Sequence, residues 1–269
     1  MLGRLTYRMR VAWWKVRPFQ LPKYSAGTPT VGRGGPLDFH LPPTAGTIGA
    51  AAMSEEAADG VAAVADKLTA DENLKAVRFR YAWARDKYGS HWRFADLPMT
   101  LWAASTLLQP TAYLEVGVWR GRSAAVVGTV APDCAIYGFD MWIPGYGGSE
   151  NLGPEFVKGE LKLIGHTAKV VLVSGDSRQT LPAFLREHPD LYFDLITIDG
   201  DKSIGGAASD FAAALPRLKV GGIVVYDDMP SLPRLRRIWN KVIESDFRYV
   251  HWEFHSATFG VAAAVRISA

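Results

Sequence analysis

Acidic residues at the ends of short apolar runs are where this sequence concentrates its chemistry. Phe193-Asp-Leu-Ile-Thr-Ile-Asp199-Gly-Asp201-Lys202 and Gly221-Gly-Ile-Val-Val-Tyr-Asp227-Asp228 both finish in carboxylates, with a lysine beside the first group. Three or four carboxylates brought together repel one another, so a cation usually offsets them. Oxygen-only ligands suit Mg²⁺, with water and substrate completing its shell. The alternative is that Asp199 meets a cofactor, Asp228 caps the next helix and no metal binds. Ile136-Tyr-Gly-Phe-Asp140-Met141 ends in an acid able to accept from both hydroxyls of a ribose, with Met141 placed to cover an adenine. A plain loop or capping role for Asp140 stands beside that reading. Val173-Ser-Gly-Asp176-Ser177 sets Asp176 to accept from an adenine amino group, while Ser177 could cap the helix that follows.

Such acids matter only if the strands that carry them end side by side, and the chain supplies a turn to complete the site. The run Tyr113-Leu-Glu115-Val-Gly117-Val-Trp119-Arg-Gly121-Arg-Ser123 is a short strand (112–116), a glycine turn and a small-residue helix from Ser123 to Val130. Glycines there let the backbone bend tightly and let a ligand lie against bare main chain, facing the first amides of the helix. A dinucleotide fingerprint needs a second glycine where Trp119 stands, so a pyrophosphate would meet a bulky side chain.

From Ala112 onward short β-rich runs (112–117, 135–140, 169–174, 193–199, 222–227) alternate with helices beginning near Ser123, Pro154, Ser177 and Gly206. That alternation predicts a parallel sheet covered on both faces, with ligands at the carboxyl ends of its strands. A helix over 232–244 and two final strands, Tyr249 to Phe254 and Phe259 to Ile267, predict a closing antiparallel hairpin joined by a Ser-Ala-Thr turn. Upstream, Ser54 starts a helix to about Leu68, Asp71 caps one running to Tyr88, and Asp96 or Leu97 precedes a third with Pro98 in its first turn.

Four segments in this order resemble metal-dependent small-molecule O-methyltransferases of the catechol and caffeoyl-CoA type, and a related bacterial group acting on sugars and natural products. They are Leu114-Glu-Val-Gly-x-x-x-Gly-x-Ser123, Gly175-Asp-Ser-x-x-Thr-Leu-Pro182, Phe193-Asp-Leu-x-x-Ile-Asp199-x-Asp-Lys202 and Leu218-Lys-x-Gly-Gly-x-x-Val-x-Asp227-Asp228. The resemblance spans roughly residues 96–267. It implies class I S-adenosylmethionine-dependent chemistry on an α/β, Rossmann-like, seven-stranded, mostly parallel sheet with helices on both faces and a C-terminal antiparallel hairpin. It implies cofactor contacts from Glu115, Gly117, Trp119, Gly121, Ser123, Asp140, Met141, Asp176, Ser177 and Asp199. It makes Asp199, Asp227 and Asp228 ligands of Mg²⁺ or a similar divalent cation, with Asp199 and Lys202 catalytic and Lys202 as general base. A surface ion pair to Asp201 or a nearby acid is the other reading of Lys202. The catechol type commonly has Asn at position 228, and the sugar group more often has His at 202 followed by Ser/Thr-Tyr, where this chain has Ser203-Ile204. The acceptor class therefore stays open.

At 269 residues, 48% hydrophobic and 21% charged, the chain can bury one large core. Residues 1–37 hold seven Lys/Arg and no acid, which leaves 23 basic against 27 acidic residues elsewhere. The body is thus slightly acidic and gives no argument for nucleic-acid binding. The expected division is a basic, Pro/Gly-rich arm (1–49), a helical cap (50–110) and a cofactor-binding domain (111–269). Within the arm, residues 2–17 could form a short basic helix with Trp13 and Trp14, meeting an anionic membrane surface, the protein's own body or a second subunit, as in a homodimer. One cysteine and the lack of a long uncharged apolar run make a cytoplasmic location the expectation. In the acceptor region, the loop from Met141 to Pro154 with Trp142 and Tyr146 reads as a lid or an ordinary surface loop, and His91 and Arg93 as weak acceptor contacts. His251, His255 and His166 show no metal-ligand spacing. A nicotinamide-dependent oxidoreductase and a non-catalytic scaffold using the basic arm are the rival readings of the chain.

Overall fold

The computed structural model describes residues 22–25, 27–32, 42–145, 150–229, 232–256 and 260–269. The predicted basic helix over 2–17, Tyr146 and the last hairpin turn lie outside them. Among the described residues four helices come first: α1 (Ala45–Ala52), α2 (Glu55–Lys67), α3 (Glu72–Tyr88) and α4 (Leu97–Leu108). Ser54, Asp71 and Asp96 cap the last three as expected, each side chain accepting from the amide three residues on (Ala57 3.0 Å, Leu74 2.8 Å, Met99 3.1 Å). Helix α1 was not expected. Gly46 and Gly49, with Pro42 and Pro43 just before, read as linker, but Thr44 caps the turn and Ile48 and Ala52 are buried. Gly49 is what allows this packing, because a Cβ there would lie 2.3 Å from the indole nitrogen of Trp252.

The alternating part follows as β1 (Ala112–Val116), α5 (Arg122–Val130), β2 (Ala135–Asp140), α6 (Gly153–Leu163), β3 (Val170–Ser174), α7 (Ser177–Glu187), β4 (Phe193–Ile198), α8 (Ile204–Ala214) and β5 (Leu218–Asp227). Then come α9 (Pro233–Trp239), a wider helical turn (Asn240–Glu244), β6 (Tyr249–His255) and β7 (Gly260–Arg266). The seven strands are ordered β3-β2-β1-β4-β5-β7-β6. β1 to β5 are parallel, whereas β7 runs antiparallel to both β5 and β6. Strand β5 starts four residues earlier than its apolar run suggests, because the arm pairs with it: Val31 donates to the Val220 carbonyl (2.7 Å) and Val220 to that of Pro29 (2.9 Å).

Alternation along the strands divides two cores. Tyr113, Ile223, Val225, Val261, Ala263 and Val265 face the layer of α1, α2, α4 and α5, while Leu114, Val116, Val224, Tyr226, Ala262 and Ala264 face α8 and α9. At the amino ends of the strands, buried Asp194 accepts from Thr111 and Ala112 amides (2.9 and 3.0 Å) and from the Lys219 ammonium (2.8 Å), which fixes β1 and β5 against β4. The opposite, carboxyl ends are left to the acids singled out above. Among the described residues no helix is long and apolar enough to cross a membrane.

Two features of this packing predict stability. A Cβ on Gly60 would sit 2.2 Å from the ring of Trp102, so α2 can cross α4 only with a bare backbone at that point. Alanine usually gains about 1 kcal/mol over glycine inside a helix, yet here the overlap decides the sign. Gly60→Ala should lower stability by roughly 1–3 kcal/mol in urea unfolding; an unchanged or higher midpoint would refute the close crossing. Asp210 in α8 is 1% exposed, and its Oδ1 accepts from the Ser177 hydroxyl at 2.7 Å. Burial pushes its carboxyl up to about 7, with Asp201 and Asp176 adding repulsion. The folded state therefore holds this proton more tightly than the unfolded chain. Between the unfolded value near 4 and the folded value near 7, wild-type stability should fall by about 1.4 kcal/mol per pH unit and then level off. Asp210→Asn should remove that slope, becoming more stable than wild type at pH 8 with a smaller gap at pH 5. Parallel pH profiles of the two proteins would contradict this.

Candidate functional site

The glycine turn after β1 is wound through three left-handed positions, Gly117 (φ 88°), Trp119 (φ 49°) and Gly121 (φ 74°). The glycines answer to packing as much as to any ligand. A Cβ on Gly117 would lie 2.4 Å from the Asp199 carbonyl oxygen, and one on Gly121 would lie 2.6 Å from Val157 of α6. Trp119 is not a glycine, so its backbone is strained there and must be held. Asp140 at the end of β2 holds it, one carboxylate oxygen accepting from the Val118 and Trp119 amides at 2.8 and 2.7 Å. Its other oxygen accepts from the Trp142 amide at 2.6 Å. Met141 is exposed on the rim next to it.

Beneath the turn lies Glu115, fully buried. Burial pushes its pKa well up; Asp199 and Asp140 add repulsion, and the Ser123 and Tyr113 hydroxyls offset part of it. β1 lies between β2 and β4, with Val116 opposite Phe139 and Ile198, so Glu115 stands between the strand ends that carry Asp140 and Asp199. Asp199, Asp227 and Asp228 meet at the ends of β4 and β5, each offering an oxygen within 4.8 Å of the others. Burial and mutual repulsion raise Asp199 and Asp227 above the usual carboxylate range. Asp201, read from sequence as a fourth member, turns away: it accepts from the amide and hydroxyl of Ser203 (both 2.8 Å) at the start of α8.

Lys202 reaches into the acid cluster. Its ammonium pairs with Asp199 and lies 3.3 Å from Asp228. Burial disfavours the charge, but Asp199, Asp227 and Asp228 outweigh it, and the lysine is held well above its ordinary value. In this arrangement it is a counterion and a donor. The ion-pair reading of Lys202 thus describes the structure, with Asp199 and Asp228 as partners in place of Asp201. Asp176, not Ser177, caps α7, accepting from the Arg178 amide at 3.0 Å, and the Arg178 guanidinium chelates its carboxylate and lowers its pKa. The Ser177 hydroxyl is directed to Asp210 instead.

The turn and the acid cluster open into one cleft of about 240 Å³ whose remaining wall is the cap. Trp119, Arg122, Ser123, Asp199, Asp227 and Asp228 line one side; Val61, Val64, Leu68, Leu74, Val77 and Phe94 line the other. Of the loop before α4, Phe94 reaches the cleft, whereas Arg93 folds back onto the Ser90 and Trp92 carbonyls (2.8 and 2.9 Å) and His91 is exposed. The cap is fastened by residues that sequence reasoning passed over. Asp71, read only as a helix cap, also pairs with Arg120 (2.8 Å) and accepts from Arg122 (2.6 Å), the two arginines on either side of Gly121. The arginines were visible within the motif, but nothing in their spacing pointed to a partner 50 residues upstream. His251 likewise gains neighbours from afar: Glu253 and Glu244 bring oxygens within 4.8 Å, correcting the expectation of no ligand grouping. Arg236 already bridges both glutamates (2.5 and 3.1 Å), so the group is an ion-pair network.

Residues 114–229 match the family model described as a methyltransferase domain. The structure of cofactor-bound Rv0187 from MTB superposes with a TM-score of 0.50 at 17% identity, covering 80% of this chain and 92% of that one. The O-methyltransferase TomG from Streptomyces achromogenes, involved in tomaymycin synthesis and solved in complex with SAM, gives 0.50 at 19% identity, covering 74% and 91%. Among curated proteins, none matches the sequence. Likeness at this identity speaks for the fold, and the sheet order with its antiparallel β7 agrees. Residues 114–229 are thus similar to a methyltransferase domain, and the seven-stranded sheet shares its fold with solved methyltransferase structures.

Proposed function

We propose that the protein transfers a methyl group from S-adenosylmethionine to a hydroxyl of a small molecule with an apolar body. The observation that carries this reading is that Trp119 of the strained turn and the three aspartates share one cleft with the aliphatic face of the cap. The residues around the turn fit a cationic donor with a ribose. Glu115 is a fully buried carboxylate beside the Ser123 and Tyr113 hydroxyls, Asp140 stands at the end of β2, and Met141 is exposed beside it. S-adenosylmethionine supplies a methyl group on a positively charged sulfur, ready for in-line displacement.

The chain itself has to place the acceptor oxygen, and such placement can supply up to roughly 7–11 kcal/mol of the barrier. Val61, Val64, Leu68, Val77 and Phe94 would exclude water from the acceptor body, which favours a phenol or apolar alcohol over a free sugar. At the other end, the Lys202 ammonium can donate to the acceptor oxygen and favour its ionised form, while the hydroxyl proton passes to the neighbouring carboxylate of Asp199 or Asp227. The oxygen then takes the methyl group and the sulfonium leaves as a neutral thioether. The carboxylates of Asp199, Asp227 and Asp228 also suit a hard dication, which would favour ionisation of a bound hydroxyl. With Lys202 already paired to Asp199 and Asp228, we assign the lysine to orienting the oxygen.

Calorimetry with S-adenosylhomocysteine and NAD, followed by a screen of phenolic, apolar-alcohol and sugar acceptors, tests the reading. S-adenosylhomocysteine should bind and NAD should not. With an accepted phenol or apolar alcohol, Lys202→Ala and Asp227→Ala should each lower kcat/KM by at least about 100-fold, while affinity for S-adenosylhomocysteine stays within a few fold. Full turnover in both variants would remove the cluster from the mechanism. Activity lost to EDTA and restored by Mg²⁺ would assign the three aspartates to a metal; activity indifferent to both would leave the cluster with Lys202 alone.

A further inference from the structure

Asp71 stands at the junction of α2 and α3, where the cap meets the methyl-donor turn, and its carboxylate is committed three ways. It accepts from the Leu74 amide at 2.8 Å, which starts α3. It also forms an ion pair with Arg120, whose Nε lies 2.8 Å away, and accepts from Arg122 Nη2 at 2.6 Å. Burial opposes its charge, yet the amide and the two guanidinium groups outweigh burial and hold the carboxyl below its usual range.

Each arginine carries the connection further. Arg120, 6% exposed, donates to the Glu150 carbonyl at 2.9 Å and lies over the ring of Phe156, so it reaches the far end of the loop that follows β2. Arg122 donates to the Asn73 side chain at 2.9 Å and stacks over Trp119, 4.7 Å from the ring centroid. Trp119 is the strained residue whose amide Asp140 holds. Leu68, Asn73, Leu74 and Val77, on both sides of Asp71, line the cleft. A contiguous set of polar contacts therefore runs from Asp140 through Trp119 and Arg122 to Asp71 and the acceptor wall.

We propose that Asp71 is a positioning residue that latches the cap to the donor turn, so that filling the donor site firms the wall of the acceptor cleft. The inference rests on the donor reading given above. Asp140 uses one oxygen for two turn amides, so a donor ribose that hydrogen-bonds to Asp140 must share or displace them. The turn responds because Trp119 is held in a backbone conformation it would not adopt by itself. Arg120 and Arg122 transmit the change because their planar guanidinium groups are locked by several fixed partners rather than one. By linkage, an acceptor seated against the cap favours the same state of the turn. The latch thus gives the two substrates positive coupling without direct contact between Asp71 and either of them.

The test uses the full chain, S-adenosylhomocysteine as the probe, and hydrogen exchange as the readout. Asp71→Asn is the informative variant, since asparagine caps a helix as well as aspartate but carries no charge for the arginines. In the unmodified protein, saturating S-adenosylhomocysteine should slow exchange in residues 117–123 and, by about fivefold or more, in residues 55–88. In Asp71→Asn the turn should still be protected, while the added protection of 55–88 falls below about twofold. Arg122→Gln, which breaks the latch from the other side and leaves the cap sequence intact, should do the same. A merely structural Asp71 would speed cap exchange in the free variant but leave the probe-induced change intact, and that result overturns the latch. A cap that ignores the probe in the unmodified protein overturns it as well. Failure of the probe to bind at all would defeat the donor reading itself, a distinct outcome visible by calorimetry.

Discussion

Five carboxylates, Glu115, Asp140, Asp199, Asp227 and Asp228, are placed by the sheet at the carboxyl ends of four strands that stand side by side in the order β2-β1-β4-β5. Their mutual repulsion, strengthened by burial, is the constraint around which the site is built. Each is answered differently. Asp140 is met by backbone amides of the turn, Asp199 and Asp228 by the ammonium of Lys202, and Asp227 by a raised affinity for its proton. Glu115 is fully buried and is met only by the Ser123 and Tyr113 hydroxyls. A site so rich in acids, with a single lysine among the last three, is prepared for positively charged ligands, and a sulfonium donor meets that need.

The same constraint explains why the turn is stiff. A loop that only had to bend could have used glycine throughout, yet position 119 is tryptophan in a left-handed conformation. Its strain is held by Asp140 from below and by the Arg122 guanidinium stacked on its ring. Gly117 and Gly121 fit against the end of β4 and against Val157, so the turn is fixed by protein contacts on three sides before any ligand arrives. The turn is therefore largely preformed, and what a ligand on Asp140 can still alter is the hold of its carboxylate on the Val118 and Trp119 amides.

The cap gives the cleft its chemical character. Helices α2 and α3 turn aliphatic residues inward, and Gly60 lets α2 sit close enough on α4 for those residues to reach the cleft. Asp199, Asp227 and Asp228 close the cleft at one end, with Lys202 paired to Asp199 and Asp228, so the cleft joins an apolar wall to a charged end. Asp71 binds the two halves together with charge-assisted contacts, which are stronger and more directional than apolar packing.

What the sequence determined by itself was the order and kind of elements and the identity of the acids at their ends. Alternating apolar runs and helix caps are local signals, and Ser54, Asp71, Asp96, the strand ends and the closing hairpin could all be read from them. Helix α1 escaped because glycines and prolines mask helical character, and only the burial of Ile48 and the approach of Trp252 stabilise it. The site was legible as a set of residue types, with Asp199, Asp227, Asp228 and Lys202 indeed gathered at two strand ends. Partners distant in sequence were decided only by the tertiary structure. Direction was decided there too: Asp201 and Asp227 are equally acidic on paper, but the first turns to the start of α8 and the second faces the cleft. Lys202 lies three residues from Asp199, yet its state depends on two carboxylates contributed by β5. The physical reason is that pKa values, ion pairs and cleft walls depend on distances through space and on burial, and neither is a property of local sequence.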